Sequence, residues 1–312
     1  MSPTRRSKRS PRGAALVAVL TLIAILGIAS LAAIRVISFD MELATAKVHG
    51  SRARQIAEMG IAIGSNPVVK RSDPLLKQFN EETGEGFDVR VISEGGRFNI
   101  NAIILREDKE LFRTMFIDWG LDLDTAQAIA DALADWIDAD DEVSLNGAEV
   151  DWYEEQGRLN QPFNRPFYHI DEVALVRGMN LVEAVKPDWR DWFTIWSAGA
   201  LDINEARAEL IAAAADVSLE QATIIPETVA GPDGIRDTTD DVPFQDVNAA
   251  LALLGVDASI RPDIVQRFNV NDTTTRIEST GYAAGAKRRI NVIVRNRTGR
   301  PALLERYEEI IP

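Results

Sequence analysis

The apolar residues of this chain form one long run near the start and shorter patterned segments afterwards. The run covers 21 residues without a charge, from Ala14 to Ile34. A helix of that length would measure about 31 Å at about 1.5 Å per residue, close to the thickness of the hydrocarbon core of a bilayer. The pattern therefore predicts a helix that spans a membrane.

The helical pattern continues beyond the apolar run. From Arg35 to Asn66 apolar side chains recur at mostly helical spacing, and no proline occurs before Pro67. The spacing predicts one continuous helix about 80 Å long, of which the second part is amphipathic.

The remaining residues predict a small antiparallel sheet that is interrupted by helices. Strand-like alternation occurs at Phe87–Ile92, Thr275–Tyr282 and Lys287–Arg295. The interval between the first two strands contains a helix at Thr125–Ile137, with Asp124 as its expected N-cap. It also contains shorter helical candidates at 171–176, 205–215, 219–225 and 247–254. The fold class that follows is α+β, with a large α-helical insert in the sheet.

The charge is unevenly distributed along the chain. The 48 acidic and 34 basic residues give a net charge of −14, but the first 13 residues hold five basic residues and no acidic residue, which leaves −19 for residues 14–312. Basic residues before a span mark its cytoplasmic side, so the acidic part is expected across the membrane. A chain this acidic is not expected to bind nucleic acid. A cleaved signal peptide ending near Ala32 is the alternative to an anchor.

The helical insert contains a short internal echo. Gly96-Arg-Phe-Asn-Ile-Asn101 is repeated in part by Gly199-Ala-Leu-Asp-Ile-Asn204, and each asparagine of these stretches is predicted to cap a helix. Such starts are similar to helix-hairpin-helix or SAM-like modules, which favours a DNA-uptake receptor as one alternative function. The other interpretation is that the motif only caps and packs helices.

The sequence lacks the common signatures of nucleophilic and thiolate chemistry. It has no cysteine and only two histidines, so it cannot form a zinc site with three histidine or cysteine ligands. The G-x-S-x-G, P-loop and dinucleotide-binding motifs do not occur.

Carboxylates are the residues most suited to chemistry. Residues 231–241 hold four aspartates and two glycines, and Ca²⁺ prefers six to eight oxygen ligands that such a loop can supply. A solvated acidic loop explains the same residues equally well. If calcium binds, the expected ligands are Asp233, Asp237, Asp240 and Asp241, with the carbonyl of Ile235 and the side chain of Gln245.

A second acidic run lies at residues 135–142. Asp138 and Asp140 are candidate ligands of a second metal, or acceptors at a helix end. Because Trp152 and Tyr153 follow closely, a membrane-anchored periplasmic hydrolase that uses a carboxylate pair is the alternative from a different functional class.

The amino terminus resembles the precursors of type IV pilins and type II secretion pseudopilins. The features that carry this resemblance are the basic leader ending in Gly13, the apolar helix directly after it and the amphipathic continuation. The resemblance implies that prepilin peptidase cuts between Gly13 and Ala14 and methylates the new terminus. Pilins usually carry a glutamate at the fifth mature position, which here is Ala18. That departure resembles the minor pseudopilin K (GspK) family.

Further stretches resemble the same family in order and spacing. They are Gly96–Asn101, Asp135–Glu142, Asn164–Val173, Val176–Met179 and Gly199–Asn204. The resemblance implies a leader (1–13), a transmembrane helix (14–34), its amphipathic continuation (35–66), a pilin-like α/β domain in two parts (67–100 and 269–312) and an inserted helical domain (101–268).

The resemblance also implies a function in assembly, without enzymatic activity. The protein is expected at the tip of a type II secretion pseudopilus, where it initiates and caps assembly for protein export. The implied partners are the minor pseudopilins GspI, GspJ and GspH, and prepilin peptidase. The implied location is the bacterial inner membrane, crossed once, with the C-terminal domain in the periplasm. Calcium, known for this family's helical domain, is the implied cofactor.

Overall fold

A single helix of 53 residues dominates the amino-terminal part of the structure. The computed structural model describes residues 12–311, and helix α1 runs from Arg12 to Gly64. The predicted continuous helix is confirmed. Its segment from Ala15 has a mean hydropathy of 2.7 over its most apolar window, none of which is buried, so the helix is long and apolar enough to cross a membrane. Residues 1–11 of the expected leader lie outside the described residues, whereas the backbone of Gly13 and Ala14 lies in the first turns of α1.

The other helices are short and lie between residues 100 and 265. They are α2 (Ile100–Leu105), α3 (Lys109–Asp118), α4 (Leu123–Asp135), α5 (Val150–Glu155), α6 (Met179–Val185), α7 (Ala208–Ala215), α8 (Leu219–Ala222), α9 (Ile224–Val229), α10 (Val247–Leu253) and α11 (Pro262–Val265). The strands are β1 (Lys77–Asn80), β2 (Glu85–Ser93), β3 (Phe98–Asn99), β4 (Phe193–Thr194), β5 (Leu201–Asp202), β6 (Phe268–Asn269), β7 (Thr274–Ala283), β8 (Ala286–Arg295) and β9 (Ala302–Ile311).

Five of the strands form one antiparallel sheet in the order β1-β2-β7-β8-β9. The three strands predicted from alternation are its centre, β2, β7 and β8. The strands β1 and β9, which flank this centre, were not predicted. Both expose most of their side chains, so neither carries the regular apolar alternation that marks a half-buried strand.

The C-terminal part of α1 covers one face of the sheet. Ala53, Ala57 and Ile61 of α1 are buried against sheet residues that include Val89 and Ile277. This core therefore joins the membrane helix to β2, β7 and β8. It supports the pilin-like part of the chain by apolar burial.

The helical insert has its own core, built around large aromatic side chains. Trp136, Trp189, Tyr153, Phe112 and Phe116 are all fully buried there. Two small parallel strand pairs lie within the insert, β3 with β4 and β5 with β6. They contain the two sequence echoes, because β3 includes Asn99 and β5 includes Asp202.

Several predicted helix limits were wrong. The N-cap of α4 is Asp122, whose Oδ1 accepts a hydrogen bond from the Thr125 amide at 2.9 Å, and not Asp124. Residues 170–175 form a 3₁₀ helix, and α7 begins at Ala208 rather than at residue 205. Residues 203–207 form a turn instead, in which Asp202 and Asn204 bond to the backbone.

Candidate functional site

Three carboxylates converge where α4 ends and α5 begins. Asp135 is the last residue of α4, Asp138 follows one turn later, and Glu149 is the N-cap residue of α5. Each of the three offers an oxygen, and these oxygens all lie within 4.8 Å of one another. Among residues 12–311, this is the one group of three or more His, Cys, Asp or Glu side chains whose possible ligand atoms lie so close together.

The chain folds tightly around this cluster. Oδ2 of Asp135 accepts hydrogen bonds from the amides of Ser144 (3.1 Å) and Ala148 (2.9 Å). A Cβ atom at Gly147 would overlap that oxygen, so the close wrap of the loop requires glycine there. The backbone amides of the loop therefore bind Oδ2 of Asp135, whereas Oδ1 accepts no hydrogen bond.

Four oxygens of the cluster are buried without a hydrogen-bond partner. They are Oδ1 of Asp135, Oδ1 of Asp138 and both oxygens of Glu149. Asp135 is fully buried and Glu149 is 6% exposed. An uncompensated carboxylate in such a position is costly, so these oxygens need a proton or a cation.

The electrostatics of the cluster agree with this need. Burial, followed by the negative charge of Asp135, raises the pKa of Asp138 to about 6. The same two causes raise the pKa of Glu149 to about 7. Near neutral pH the free cluster therefore has too much negative charge for its environment, and a bound cation would relieve it.

Asp140, the expected partner of Asp138, lies elsewhere. It is exposed, and its Oδ1 accepts a hydrogen bond from the amide of Glu142 at 2.9 Å. The structure thus groups Asp138 with Asp135 and Glu149 and leaves Asp140 outside this group. Sequence reasoning missed Glu149, although its position in the same acidic stretch was the available signal.

The aspartates of the predicted calcium loop mostly bond to the loop itself. Oδ2 of Asp240 accepts from the Asp233 amide (3.1 Å), and Oδ2 of Asp241 accepts from the Asp237 amide (2.9 Å). Oδ1 of Asp233 accepts from the Ile235 amide at 2.7 Å. Oδ1 of Asp241 is buried without a partner. This loop therefore does not bring three carboxylates together. Its one buried carboxylate oxygen without a hydrogen-bond partner is Oδ1 of Asp241, which a cation could contact.

The other expected members of that site also lie apart. Gln245 is exposed and donates to the carbonyl of Pro243 at 3.2 Å. Two arginines already lie beside the acids, since Arg71 is 3.6 Å from Asp237 and Arg236 is 3.8 Å from Asp241. Because Arg71 follows α1 in the chain, this ion pair also connects the loop to the sheet domain.

The echoed asparagines bond to backbone within the insert. The side-chain amide of Asn101 exchanges two hydrogen bonds with the backbone of Phe167, and that of Asn204 does so with Phe244. The predicted capping is confirmed for Asn99, whose side chain caps α2, and was wrong for Asn101 and Asn204, since α2 is capped by Asn99 and no helix starts at Asn204. The structure thus supports the packing interpretation of the echo, because both side chains are occupied by protein.

The aromatic side chains next to the acidic cluster lie in the core. Trp136 and Tyr153 are fully buried, and their ring centroids are 5.3 Å apart. Trp152, the other aromatic residue of that alternative, is half-buried against the core, and the guanidinium carbon of Arg177 lies 5.3 Å from its ring centroid. A buried Tyr153 cannot stack on a sugar, so this arrangement does not favour the hydrolase alternative. Trp189 and Trp192 are core residues as well.

The exposed face of α1 is the other feature with a functional interpretation. Ala18 lies exposed within the apolar part of the helix. Beyond the predicted span, Phe39, Met41 and Val48 remain largely exposed to solvent. Large apolar side chains outside a membrane at this density are typical of a surface that other helices cover.

Comparison with known proteins finds similarity to one family. The family model described as type II secretion system (T2SS), protein K, matches residues 96–187. The type II secretion system protein K of Pseudomonas aeruginosa is 27% identical over 175 residues, which cover 53% of this chain and 50% of that protein. The protein of the same name from Pectobacterium carotovorum is 33% identical over 110 residues, covering 32% of this chain and 31% of that protein. The chain thus matches half or less of the length of these relatives.

A solved structure shares the fold. It is the crystal structure of the GspK-GspI-GspJ complex from the type 2 secretion system of enterotoxigenic Escherichia coli, of which one chain superposes with a TM-score of 0.58 and 17% identity. The superposition covers 86% of this chain and 98% of that chain. The matches in sequence and fold agree: residues 96–187 are similar to type II secretion system protein K, and the chain shares the fold of a chain in that complex.

Proposed function

We propose that this protein is a minor pseudopilin that acts at the tip of a type II secretion pseudopilus, by assembly rather than by catalysis. The observation that carries the proposal is the order of the parts in one chain. An exposed apolar helix continues into a helix packed on a small sheet, and the sheet is interrupted by a helical body with its own core. The fold shared with 98% of a chain of the GspK-GspI-GspJ complex supports it.

The size of the insert supports a position at the tip. The core of the insert extends from Phe98 to Phe268, whereas the sheet and α1 form a second and smaller core. A subunit with a head wider than its stalk leaves no room for another subunit stacked on top. Such a subunit would initiate a filament and cap it.

The residue at position 18 supports the same position. A carboxylate inside a membrane is costly unless it meets a positive charge, and in pilins that charge belongs to the subunit ahead. A subunit at the tip has no subunit ahead of it. Ala18 therefore avoids the free-energy cost of a buried carboxylate, and a subunit at the tip loses no ion pair by lacking that carboxylate.

The proposed location is the bacterial inner membrane, with the head in the periplasm. The five basic residues before Gly13 would stay in the cytoplasm. Prepilin peptidase would cut after Gly13 and methylate Ala14. The helix from Ala14 to Ile34 would then anchor the mature protein in the membrane.

We further propose GspI, GspJ and GspH as the partners of the exposed face of α1. The complex that contains the structural relative also contains GspI and GspJ. The exposed Phe39, Met41, Val48 and Met59 would lie against the corresponding helices of these partners.

Calcium in the loop at 231–245 remains a proposal. The unpartnered Oδ1 of Asp241 supports it, but the other aspartates would have to exchange amide donors for the ion. Asp240→Asn combined with Asp241→Asn should reduce the rise in melting temperature that CaCl₂ gives over chelator. Asp246→Asn, at an exposed position just beyond the loop, is the control. An equal calcium response in both variants would refute a calcium site in this loop.

Processing of the precursor tests the proposed function. In cells with prepilin peptidase, Gly13→Val should leave the precursor at full length, whereas the wild-type chain should begin with methylated Ala14 in mass spectrometry. Gly27→Ala, within the span and with nothing within 4 Å of the added methyl group, should be processed normally. A wild-type terminus after Ala32 would show a signal peptide and overturn the proposal.

A further inference from the structure

A cavity lies where the helical insert meets the sheet. Its volume is about 370 Å³, near the lower end of the range of about 300–1,000 Å³ that small-ligand sites have. The insert contributes residues 169–171 and 190–196 to the lining, and the sheet contributes Arg276 of β7 and part of β9. Arg97, which lies between β2 and β3, completes it. The cavity is therefore shared by both parts of the head.

Arg97 brings a largely buried guanidinium to this cavity. Its side chain is 19% exposed, and its Nη2 lies 3.7 Å from Oε1 of Glu94. That distance is too long for a hydrogen bond, and the guanidinium donates to no other group within residues 12–311. Burial first, and then the positive charge of Arg276, lower the pKa of Arg97, although Glu94 opposes the shift. An arginine keeps its proton even so, and this cation therefore needs an anion.

Arg276 competes with Arg97 for the same carboxylate. Oε1 of the fully buried Glu94 lies 2.7 Å from Nε of Arg276, closer than it lies to Arg97. Glu278 is 3.8 Å from Nη1 of Arg276 and is also paired with the exposed Arg90 at 3.4 Å. The two arginines of the cavity thus share one buried carboxylate, and a second anion would complete their neutralisation.

Three acidic side chains also line the cavity, but they do not neutralise these two arginines. Oδ1 of Asp171 accepts a hydrogen bond from Nε of Arg190 at 2.9 Å. Oε2 of Glu305 accepts one from the indole N–H of Trp196 at 2.8 Å. Asp191 is exposed, so water and salt screen its charge. Among the described residues, no ion pair joins any of the three acids to either arginine, which leaves both available to a ligand.

The remaining walls of the cavity are apolar or aromatic. They are formed by Ile170, Phe193, Ile195, Trp196 and Tyr307. Such walls lower the local dielectric constant, so they strengthen the attraction between a guanidinium and a carboxylate. They also favour a ligand that has an apolar part beside its charge.

We propose that this cavity binds a monocarboxylate with an apolar body. The carboxylate lies between Arg97 and Arg276, because the fork of a guanidinium matches the two oxygens of a carboxylate. The apolar part packs against the side chains of Phe193 and Trp196. A free organic acid and the C-terminal carboxylate of a polypeptide share this chemistry.

The bound carboxylate would stabilise the junction between the sheet and the insert. Arg276 belongs to the sheet, whereas Phe193 and Trp196 belong to the insert. A ligand that contacts both parts in the folded protein raises the melting temperature by mass action. This inference concerns the head alone and does not depend on the pseudopilin proposal.

The experiment uses the full chain in a mild nonionic detergent and two probes in calorimetric titrations. One is phenylacetate, and the other is the tripeptide acetyl-Ala-Ala-Phe with a free C terminus. Phenylacetamide and the tripeptide amide are the controls, because each lacks only the charge. We expect saturable binding of the acids and binding of the amides that is about tenfold weaker or less. Tighter binding of the tripeptide assigns the site to a polypeptide terminus, and tighter binding of phenylacetate assigns it to a free acid.

Substitution of Arg97 locates the binding. Arg97→Gln should weaken both acids by about tenfold or more, and Arg97→Lys should recover only part of this loss because an ammonium has no fork. Arg90→Gln removes the same charge from an exposed position on β2, outside the cavity, and should leave the Kd within about twofold of wild type.

A second variant keeps both arginines and blocks the site instead. Tyr307 is 37% exposed on the edge strand β9, so Tyr307→Glu is tolerated and places a carboxylate beside Arg276. Binding of both acids should be lost. Leu303→Glu, at an exposed position of the same strand outside the cavity, should bind them as wild type does.

Three results would overturn the site. Equal affinity for the acids and their amides would show that no carboxylate is recognised. An unchanged Kd in both Arg97→Gln and Tyr307→Glu would place the binding elsewhere on the protein. The absence of saturable binding and of any rise in melting temperature up to about 10 mM of either acid would show that the cavity takes no such ligand.

Discussion

Asn101 and Phe167 are joined by a two-way hydrogen bond. Nδ2 of Asn101 donates to the carbonyl oxygen of Phe167 at 3.0 Å, and the amide of Phe167 donates to Oδ1 of Asn101 at 2.8 Å. Asn204 makes the same pair of bonds with Phe244, at 2.9 and 2.8 Å. The two asparagines occupy equivalent positions in the two sequence echoes. The echo therefore repeats one contact, in which an asparagine just after a short strand binds the backbone of a phenylalanine distant in the sequence.

Replacement of Asn204 should destabilise the insert. Asn204→Ala leaves both backbone groups of Phe244 without their partner, and each such loss costs about 1–3 kcal/mol when buried. The midpoint of urea unfolding should fall, as measured by tryptophan fluorescence. All six tryptophans of the chain lie between residues 119 and 196, so this signal reports on the insert.

Asn248→Ala is the matched control for this prediction. Asn248 is exposed on α10, and its one side-chain bond goes to Asp246 at 3.4 Å. The midpoint of this variant should stay close to wild type. An equal loss of stability in the two variants would mean that the bonds between Asn204 and Phe244 contribute nothing.

The parts of the fold that depend on local sequence pattern could be predicted from the sequence. The long helix follows from an apolar run and the absence of proline, and β2, β7 and β8 follow from alternation. The strands β1 and β9 are exposed and are held by their neighbours in the sheet, so their own residues do not mark them.

The candidate cation site shows the same limit. Asp138 could be named from the sequence, because an acidic run is visible. The meeting of Asp135 and Glu149 depends on the path of the loop between them, which folds back onto Asp135 through the amides of Ser144 and Ala148. A contact of this kind has no periodicity, so a single sequence does not predict it.

Glu94 is a buried charge that joins the sheet to the insert. It is fully buried, its Oε1 lies 2.7 Å from Nε of Arg276 in β7, and it accepts a hydrogen bond from the hydroxyl of Thr194 in β4. Glu94→Gln leaves the charge of Arg276 buried with little compensation. We expect a loss of about 3 kcal/mol or more in the free energy of unfolding, since breaking one side of a buried pair is strongly destabilising.

An ion pair between β2 and β7 that is exposed on the arginine side provides the comparison for Glu94. Arg90 lies 3.4 Å from Glu278, and its side chain is 71% exposed. Arg90→Met should cost less than about 1 kcal/mol, as surface pairs do. If chemical denaturation gave Glu94→Gln the same small cost, Glu94 would not be what fixes the insert to the sheet.

Asp202 should make the stability of the insert depend on pH. Burial raises the pKa of this carboxyl to about 6 in the folded protein, although it accepts bonds from the amides of Asn204 and Asp272. The protonated form is favoured by folding, so its contribution is fully present below about pH 4 and is lost as pH rises through 6. Relative to Asp202→Asn, the wild type should lose about 2 kcal/mol between pH 4 and pH 7.

Urea unfolding of both proteins at several pH values measures this difference. Both proteins carry the same other titratable groups, so the pH dependence due to those groups cancels in the difference between wild type and Asp202→Asn. The difference in the free energy of unfolding between the two proteins should change from about pH 4 to pH 6 and stay constant above about pH 7. A constant gap from pH 4 to pH 7 would contradict a raised pKa of Asp202.

Gly281 sets the distance between the membrane helix and the sheet. It lies in β7, and a Cβ atom there would overlap the carbonyl oxygen of Ala53 and lie 2.5 Å from the amide nitrogen of Ala57, both in α1. Gly281→Ala must therefore push α1 away from the sheet, and we expect a cost of about 1–3 kcal/mol from this overpacking. Amide hydrogen exchange should rise across β7 and the segment of α1 that covers it, residues 53–61. Gly27→Ala introduces the same methyl group where nothing lies within 4 Å, so it should leave exchange in β7 unchanged. Slow exchange in β7 of Gly281→Ala would contradict this prediction. It would mean that the added methyl group fits between α1 and the sheet without loosening their packing.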